Sequence, residues 1–179
     1  MKITLNEQKI KKILLETHKP EHDFSVVLKN EKPKTKIGCY KRSISQIVIF
    51  LPYFDDNRKL IHTALHEYAH HLSRYGHGCD FFNNFFNLLE AADKKGLHSL
   101  NIETNYELKQ ITDFILKNNL IHNKMINNDY GWLINKAYDI CKENEIDFQY
   151  YTARILGIPW LKGHYPRSYY KSFCRRVLL

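Results

Sequence analysis

No stretch of this sequence is apolar enough to span a bilayer. The longest uninterrupted run, Ile47 to Phe54, has eight residues and includes a proline, against the roughly 20 that a spanning helix requires. The first residues, MKITLNEQKIKKILLETH, mix charge with Ile and Leu and lack the continuous apolar segment of a secretory signal. The expected compartment is therefore the cytoplasm, with no membrane partner. Cysteine is scarce as well. Cys39, Cys79, Cys141 and Cys174 stand alone without a C-x-x-C pair, which argues against a zinc ribbon or a disulfide framework and for reduced thiols. Negative charge is outnumbered: Lys and Arg total 27 against 19 Asp and Glu, a formal net charge of +8. Such an excess concentrates polyanions such as nucleic acid near the surface without defining a site. No internal repeat is present, and the Asn-rich stretch NNLIHNKMINND reads as compositional bias.

What is present suffices for a folded core. The chain has 179 residues, 44% of them apolar, the size of one ordinary domain or one domain with an appendage. From Asn6 to about His18, Ile10, Ile13 and Leu14 share one helical stripe with Lys and Glu opposite. A strand-rich stretch follows, with Phe24–Leu28, Lys36–Lys41 and Gln46–Leu51 read as three antiparallel strands. Asp55, Asp56 and Asn57 offer N-cap oxygens for a helix running to about Tyr75, with Gly76 as its left-handed stop. Asp80 is placed to cap a further helix through Ala92 that ends at Gly96, its broad apolar face made of Phe81, Phe82, Phe85, Phe86 and Leu89. Beyond Gly96 only helices are expected: one marked by Leu108, Ile111 and Ile115, one by Trp132, Leu133, Ala137 and Ile140, and one over Phe148–Leu156.

The chemistry concentrates in His66-Glu67-Tyr68-Ala69-His70. Four residues on a helix is just over one turn, so His66 and His70 project from one face and can share a metal ion. Glu67 beside them can accept a proton from a water that the metal has acidified and pass it to a leaving amine. Leu60, Ile61, Ala64, Leu65, Ala69 and Leu72 form the opposite, core-facing side. With ten His in the chain, chance supplies only about 0.03 matches to this pattern. Two histidines on a solvated helix would be the alternative, and so clear a core face argues against it. A catalytic zinc needs a third protein ligand and an open position. His77, just after the expected helix stop, is the preferred third ligand, and Glu90, 20 residues after His70, is its competitor at gluzincin spacing.

His66-Glu67-x-x-His70, His77-Gly78-x-x-Phe81 and an upstream Gly38-x-Tyr40 before Ile47-Val48-Ile49 together resemble the SprT-like, or Spartan-type, zinc metallopeptidases and their minigluzincin relatives. The resemblance covers about residues 5 to 95. It implies a helix, a small antiparallel sheet whose edge strand binds extended peptide, and the metal helix. It also implies a link to DNA, because Spartan-type members degrade proteins crosslinked to DNA and many carry a cysteine zinc ribbon or another DNA-binding module. The present chain departs there: residues 97–179 have no cysteine pair. The metzincin pattern fails, since its glycine would fall at Ser73 and its third histidine at Gly76. A peptide deformylase reading that used Cys39 as ligand lacks the surrounding motifs of that family, and Cys39 reads as an ordinary buried thiol.

Other residues have plainer readings. His62, one turn before His66, is read as a structural histidine more readily than as a site group, and His71 points away from the metal. Tyr68 and Tyr75 are packing residues rather than oxyanion donors. In the tail KGHYPRSYYKSFCRRVLL, aromatics interleave with Arg167, Lys171, Arg175 and Arg176, the candidate nucleic-acid contacts. A C-terminal helix docking on the domain would give the same pattern. The reading is an α+β fold: a zincin-like metallopeptidase core over residues 1–96 and a helical C-terminal extension over 97–179. The function expected is zinc-dependent peptide hydrolysis, with His66, His70 and His77 holding Zn2+ and Glu67 as general base and then acid. Protein or peptide is the substrate and DNA a candidate partner. The alternatives are a zinc-stabilised nucleic-acid-binding module without peptidase activity and a peptidase of substrates unrelated to DNA. The presence of Glu67 argues against the former, because a structural site closes with four protein ligands and needs no base.

Overall fold

Helix α1 (Glu7–Thr17) begins where Asn6 accepts a hydrogen bond from the Lys9 N–H, and it buries Ile10 and Leu14. The computed structural model describes residues 3–100 except Tyr75 and Gly78, then 105–118 and 131–157. It is a mixed α and β chain that divides into two compact units, Met1–Ser99 and Leu100–Leu179.

In the first unit the three strands are β1 (Ser25–Lys29), β2 (Gly38–Lys41) and β3 (Gln46–Phe50). They lie in the order β1-β3-β2. The expectation of an all-antiparallel sheet is corrected here: β2 pairs antiparallel with β3, but β1 pairs parallel with it. Residues 30–37 carry the chain past the central position to the far edge, so β3 returns between its two predecessors in the direction of β1. Ile47, Val48, Ile49 and Phe50 are consecutively buried, the pattern of a central strand covered on both faces rather than of an alternating one. Glu7 of α1 reaches β1, its carboxylate accepting from the Leu28 N–H at 2.9 Å.

Helix α2 (Asn57–Leu72) is capped by Asp56, which accepts from the Lys59 N–H. It stops at Leu72, three residues short of the expected Tyr75, and Gly76 is not its terminator. Ser73 instead adopts an extended conformation and its hydroxyl donates to the Ala69 carbonyl at 2.6 Å. Asn84 donates to the Leu72 carbonyl at 3.2 Å and Arg42 to the Ser73 carbonyl at 2.8 Å. Side chains from distant segments thus satisfy the helix's last carbonyls, the task a left-handed glycine would otherwise perform.

Helix α3 (Cys79–Lys94) starts one residue before Asp80, which lies in the first turn rather than at the cap, where a carboxylate still meets the positive end of the helix dipole. Gly96 ends it as expected. At φ +67° its N–H donates to the Asp93 carbonyl while the Leu97 N–H reaches the Ala92 carbonyl, both at 2.9 Å, the paired closure of a Schellman motif. Phe81, Phe82, Phe85, Phe86 and Leu89 are all buried. At roughly 2–3 kcal/mol per fully buried large side chain, this face is what docks α3 in the core.

The second unit, where described, is helical throughout: α4 (Tyr106–Lys117), α5 (Gly131–Glu143), and a short helix α6 (Phe148–Tyr150) that widens into a π-helical turn over Tyr151–Ile155. Leu108, Ile111, Ile115, Leu133, Ala137, Ile140, Tyr151 and Leu156 share one core. Trp132 does not, being 55% exposed, and Ile134 is buried on α5 instead. No described helix is long and apolar enough to cross a membrane.

Candidate metal centre

Two faces of α2 carry the site. On one, His66 and His70 stand one turn apart, their rings 5.1 Å apart between centroids. The chain leaves the helix at Ser73 and brings back His77, whose Nε2 lies 3.2 Å from Nε2 of His66. One nitrogen from each of the three histidines falls within 4.8 Å of the others. Two nitrogens bound to one tetrahedral zinc at about 2.0–2.1 Å are separated by about 3.3–3.4 Å, close to the His66–His77 spacing. Phe81 of α3 lies against all three imidazoles, at 4.9 Å from His66, 4.3 Å from His70 and 4.6 Å from His77, and Phe85 adds an edge contact to His66. These rings fix the imidazole planes before any ion arrives.

Protonation favours ligation. Burial, and after it the charges of His77 and Arg42, push His70 down to about 4, and burial alone lowers His77. Both imidazoles are therefore neutral at pH 7, the form that offers a lone pair to a metal. Three imidazoles converging on one point suit a divalent transition ion, and the cluster could hold one. Among the described residues, Glu90 is absent from the converging ligand atoms; it lies half-buried on α3.

Glu67 occupies the other face, 6% exposed. Burial raises its carboxyl to about 7, opposed by a hydrogen bond from the Tyr40 backbone N–H and by the positive charge of Lys36. A carboxylate titrating there is matched to proton exchange near neutral pH. Strand β2 crosses directly over it. A Cβ on Gly38 would stand 3.0 Å from Thr63 Cγ2, 3.1 Å from Glu67 Cγ and 3.2 Å from Glu67 Oε1, so only glycine lets the strand approach this closely. The sequence pattern marked Gly38, Tyr40 and Phe81, but not what they touch.

The remaining candidates separate from the centre. His71 points away from it: its Nδ1 meets the Tyr40 hydroxyl at 2.9 Å and its Nε2 the His22 carbonyl at 3.0 Å. His62 contacts His98, Nδ1 to Nε2 at 3.4 Å, and sets its ring edge-on to Phe85. Tyr68 is buried and donates its hydroxyl to the His18 carbonyl at 2.8 Å, as a packing residue does. Cys39 is half-buried rather than fully buried, and alternation along β2 turns it from the face that Gly38 and Tyr40 present to α2. Tyr75 and the candidate nucleic-acid contacts Arg167, Lys171, Arg175 and Arg176 lie outside the described residues. Compared with known proteins, the chain matches no family model, no curated protein and no solved structure.

Proposed function

We propose that this protein is a zinc-dependent metallopeptidase. The observation that carries the reading is the convergence of His66, His70 and His77 on one point, the first two on the helix that also buries Glu67. The resemblance of its motifs to SprT-like peptidases points the same way. When bound, zinc would supply a water acidified toward neutrality and a Lewis acid for the scissile carbonyl. The three histidines would hold the ion. Glu67 takes the proton of the attacking water on its carboxylate and hands it to the departing amine nitrogen, restoring the base. In β2 the Ile37 carbonyl accepts from the Phe50 N–H, so the backbone groups of alternate residues Gly38 and Tyr40 turn toward the open edge. An extended peptide pairing along that edge would lie beside Glu67. The substrate class is protein or peptide, and the net charge of +8 favours substrates associated with DNA.

The test is metal analysis joined to a denatured-protein cleavage assay. The parent should carry one zinc per chain, and Glu67→Gln should keep both zinc and fold while hydrolysis falls by roughly 10²-fold or more. Equal cleavage by parent and variant would remove Glu67 from the chemistry and sink the reading.

A further inference from the structure

Strand β2 and helix α2 run side by side with matched pitch. Two strand residues advance about 6.6–6.8 Å and four helix residues about 6.0 Å, so Gly38 and Tyr40 meet Glu67 and His71 in turn. At the first position the strand touches the carboxylate through the missing Cβ of Gly38. At the second, the Tyr40 hydroxyl meets Nδ1 of His71 at 2.9 Å, and Nε2 of His71 lies 3.0 Å from the His22 carbonyl. A carbonyl only accepts, so Nε2 carries the proton and Nδ1 receives the Tyr40 O–H. The ring of His71 is packed between partners, 5.1 Å from Phe24, 5.4 Å from Tyr40 and 5.8 Å from Tyr68 in a stacked pose. It therefore has one orientation in which both bonds can form. Between these two contacts, the Tyr40 backbone N–H is turned toward Glu67 and favours its ionised form.

We propose that Tyr40, His71 and the His22 carbonyl form a latch that clamps β2 onto α2 and so keeps the strand, at Gly38, seated on the Glu67 carboxylate. Tyr40 and His71 are positioning residues: they act on Glu67 through the strand and touch no substrate. The catalytic consequence rests on the metallopeptidase reading, whereas the latch itself is a property of the metal-free fold. Without the hydroxyl, β2 keeps its pairing with β3 but loses its register against the helix, and the carboxylate loses the strand that covers it.

Amide hydrogen exchange on the metal-free full-length protein tests the latch independently of activity. In Tyr40→Phe the amide of residue 40 should exchange about five- to tenfold faster as the strand lifts from the helix, while the amides of Val48 and Phe50, which face β2 from β3, are unchanged. Tyr68→Phe removes another hydroxyl from the same helix, one bonded to the His18 carbonyl. It should leave residue 40 as protected as in the parent, which separates the latch from a general loss of stability. With zinc bound, Tyr40→Phe should retain the metal and lose about tenfold in kcat with KM nearly constant, as expected of a misplaced proton acceptor. Unaltered exchange at residue 40 in Tyr40→Phe, or equal acceleration in Tyr68→Phe, would overturn the latch. If the exchange result holds and neither parent nor variant cleaves protein, the latch stands and the peptidase reading falls.

Discussion

Glu67 sits where an ionised carboxylate is costly, 6% exposed beneath a strand. Its neighbours offset part of that cost with one backbone N–H and the charge of Lys36. The resulting acid is poised near neutrality, and His70 and His77 stay neutral for the same reason, because burial disfavours charge in both kinds of group. The pattern His66-Glu67-x-x-His70 is legible from spacing alone, since one helical turn dictates that the two histidines share a face. The third ligand is not legible in that way. His77 and Glu90 both lie at plausible spacings, and what separates them is the return of the chain after Ser73, which brings Nε2 of His77 to 3.2 Å from that of His66. Metal content measured on single variants tests the assignment at this scale. His77→Ala should lose zinc by at least tenfold in affinity, as loss of a direct ligand exceeds the roughly 10-fold lower bound seen for supporting partners, while Glu90→Ala should bind as the parent does. The reverse pattern would move the site to a histidine-histidine-glutamate ligand set.

Elements show how local signals succeed and where they stop. Caps at Asn6, Asp56, Asn105 and Asp147 each accept a backbone N–H at the start of a helix, chemistry written in a few adjacent residues. Gly96 likewise ends α3 through its own positive φ. Gly76 looked equivalent, yet Ser73, Asn84 and Arg42 end α2 earlier, and no local rule anticipates donors contributed by other segments. In the second unit, helix periodicity identified the buried stripe of α4 and, in Leu133, Ala137 and Ile140, that of α5, whereas Trp132 at the start of α5 is exposed. Cys141 on that helix gives this core a pH signature. Burial, aided by the charge of Asp147, raises its thiol to about 12 from 9.0. The unfolded thiol ionises from pH 9 upward while the folded one stays protonated, so the folded state binds more protons and stability falls as pH rises between the two values. The contribution approaches about 1.4 kcal/mol per pH unit above pH 9. Urea unfolding of parent and Cys141→Ser at pH 8 and pH 10 should show the parent losing about 1 kcal/mol more than the variant. Parallel losses would mean that the thiol does not titrate differently on unfolding.

For the molecule as a whole, the net charge of +8 is a long-range property that acts on polyanions at a distance of about a Debye length, roughly 8–10 Å at physiological salt. Whether it converges into a contact depends on Arg167, Lys171, Arg175 and Arg176. Phosphate contacts release counterions, so affinity for single-stranded DNA should fall with salt by about 0.7 in log-log slope per contact. Arg175→Ala/Arg176→Ala should reduce that slope by up to about 1.4 if both residues touch phosphate, with circular dichroism confirming that the variant stays folded. Equal affinities and slopes for parent and variant would eliminate the tail as a nucleic-acid contact and leave the peptidase proposal untouched.

The sequence by itself determined the mixed α and β composition, the starts of α1 and α2, the aromatic face of α3 and the pairing of His66 with His70 on one turn. These follow from interactions within a few residues, namely periodicity, capping and backbone preference, which act whatever the rest of the chain does. Only the tertiary structure decided the direction of β1 against β3, the end of α2, the exposure of Trp132, and the seating of Gly38 and Tyr40 on Glu67 and His71. Each of these couples segments far apart in the chain. Pairing direction and close approach depend on where the whole chain can bury its apolar surface without leaving polar groups unmet, a condition that no local window of residues contains.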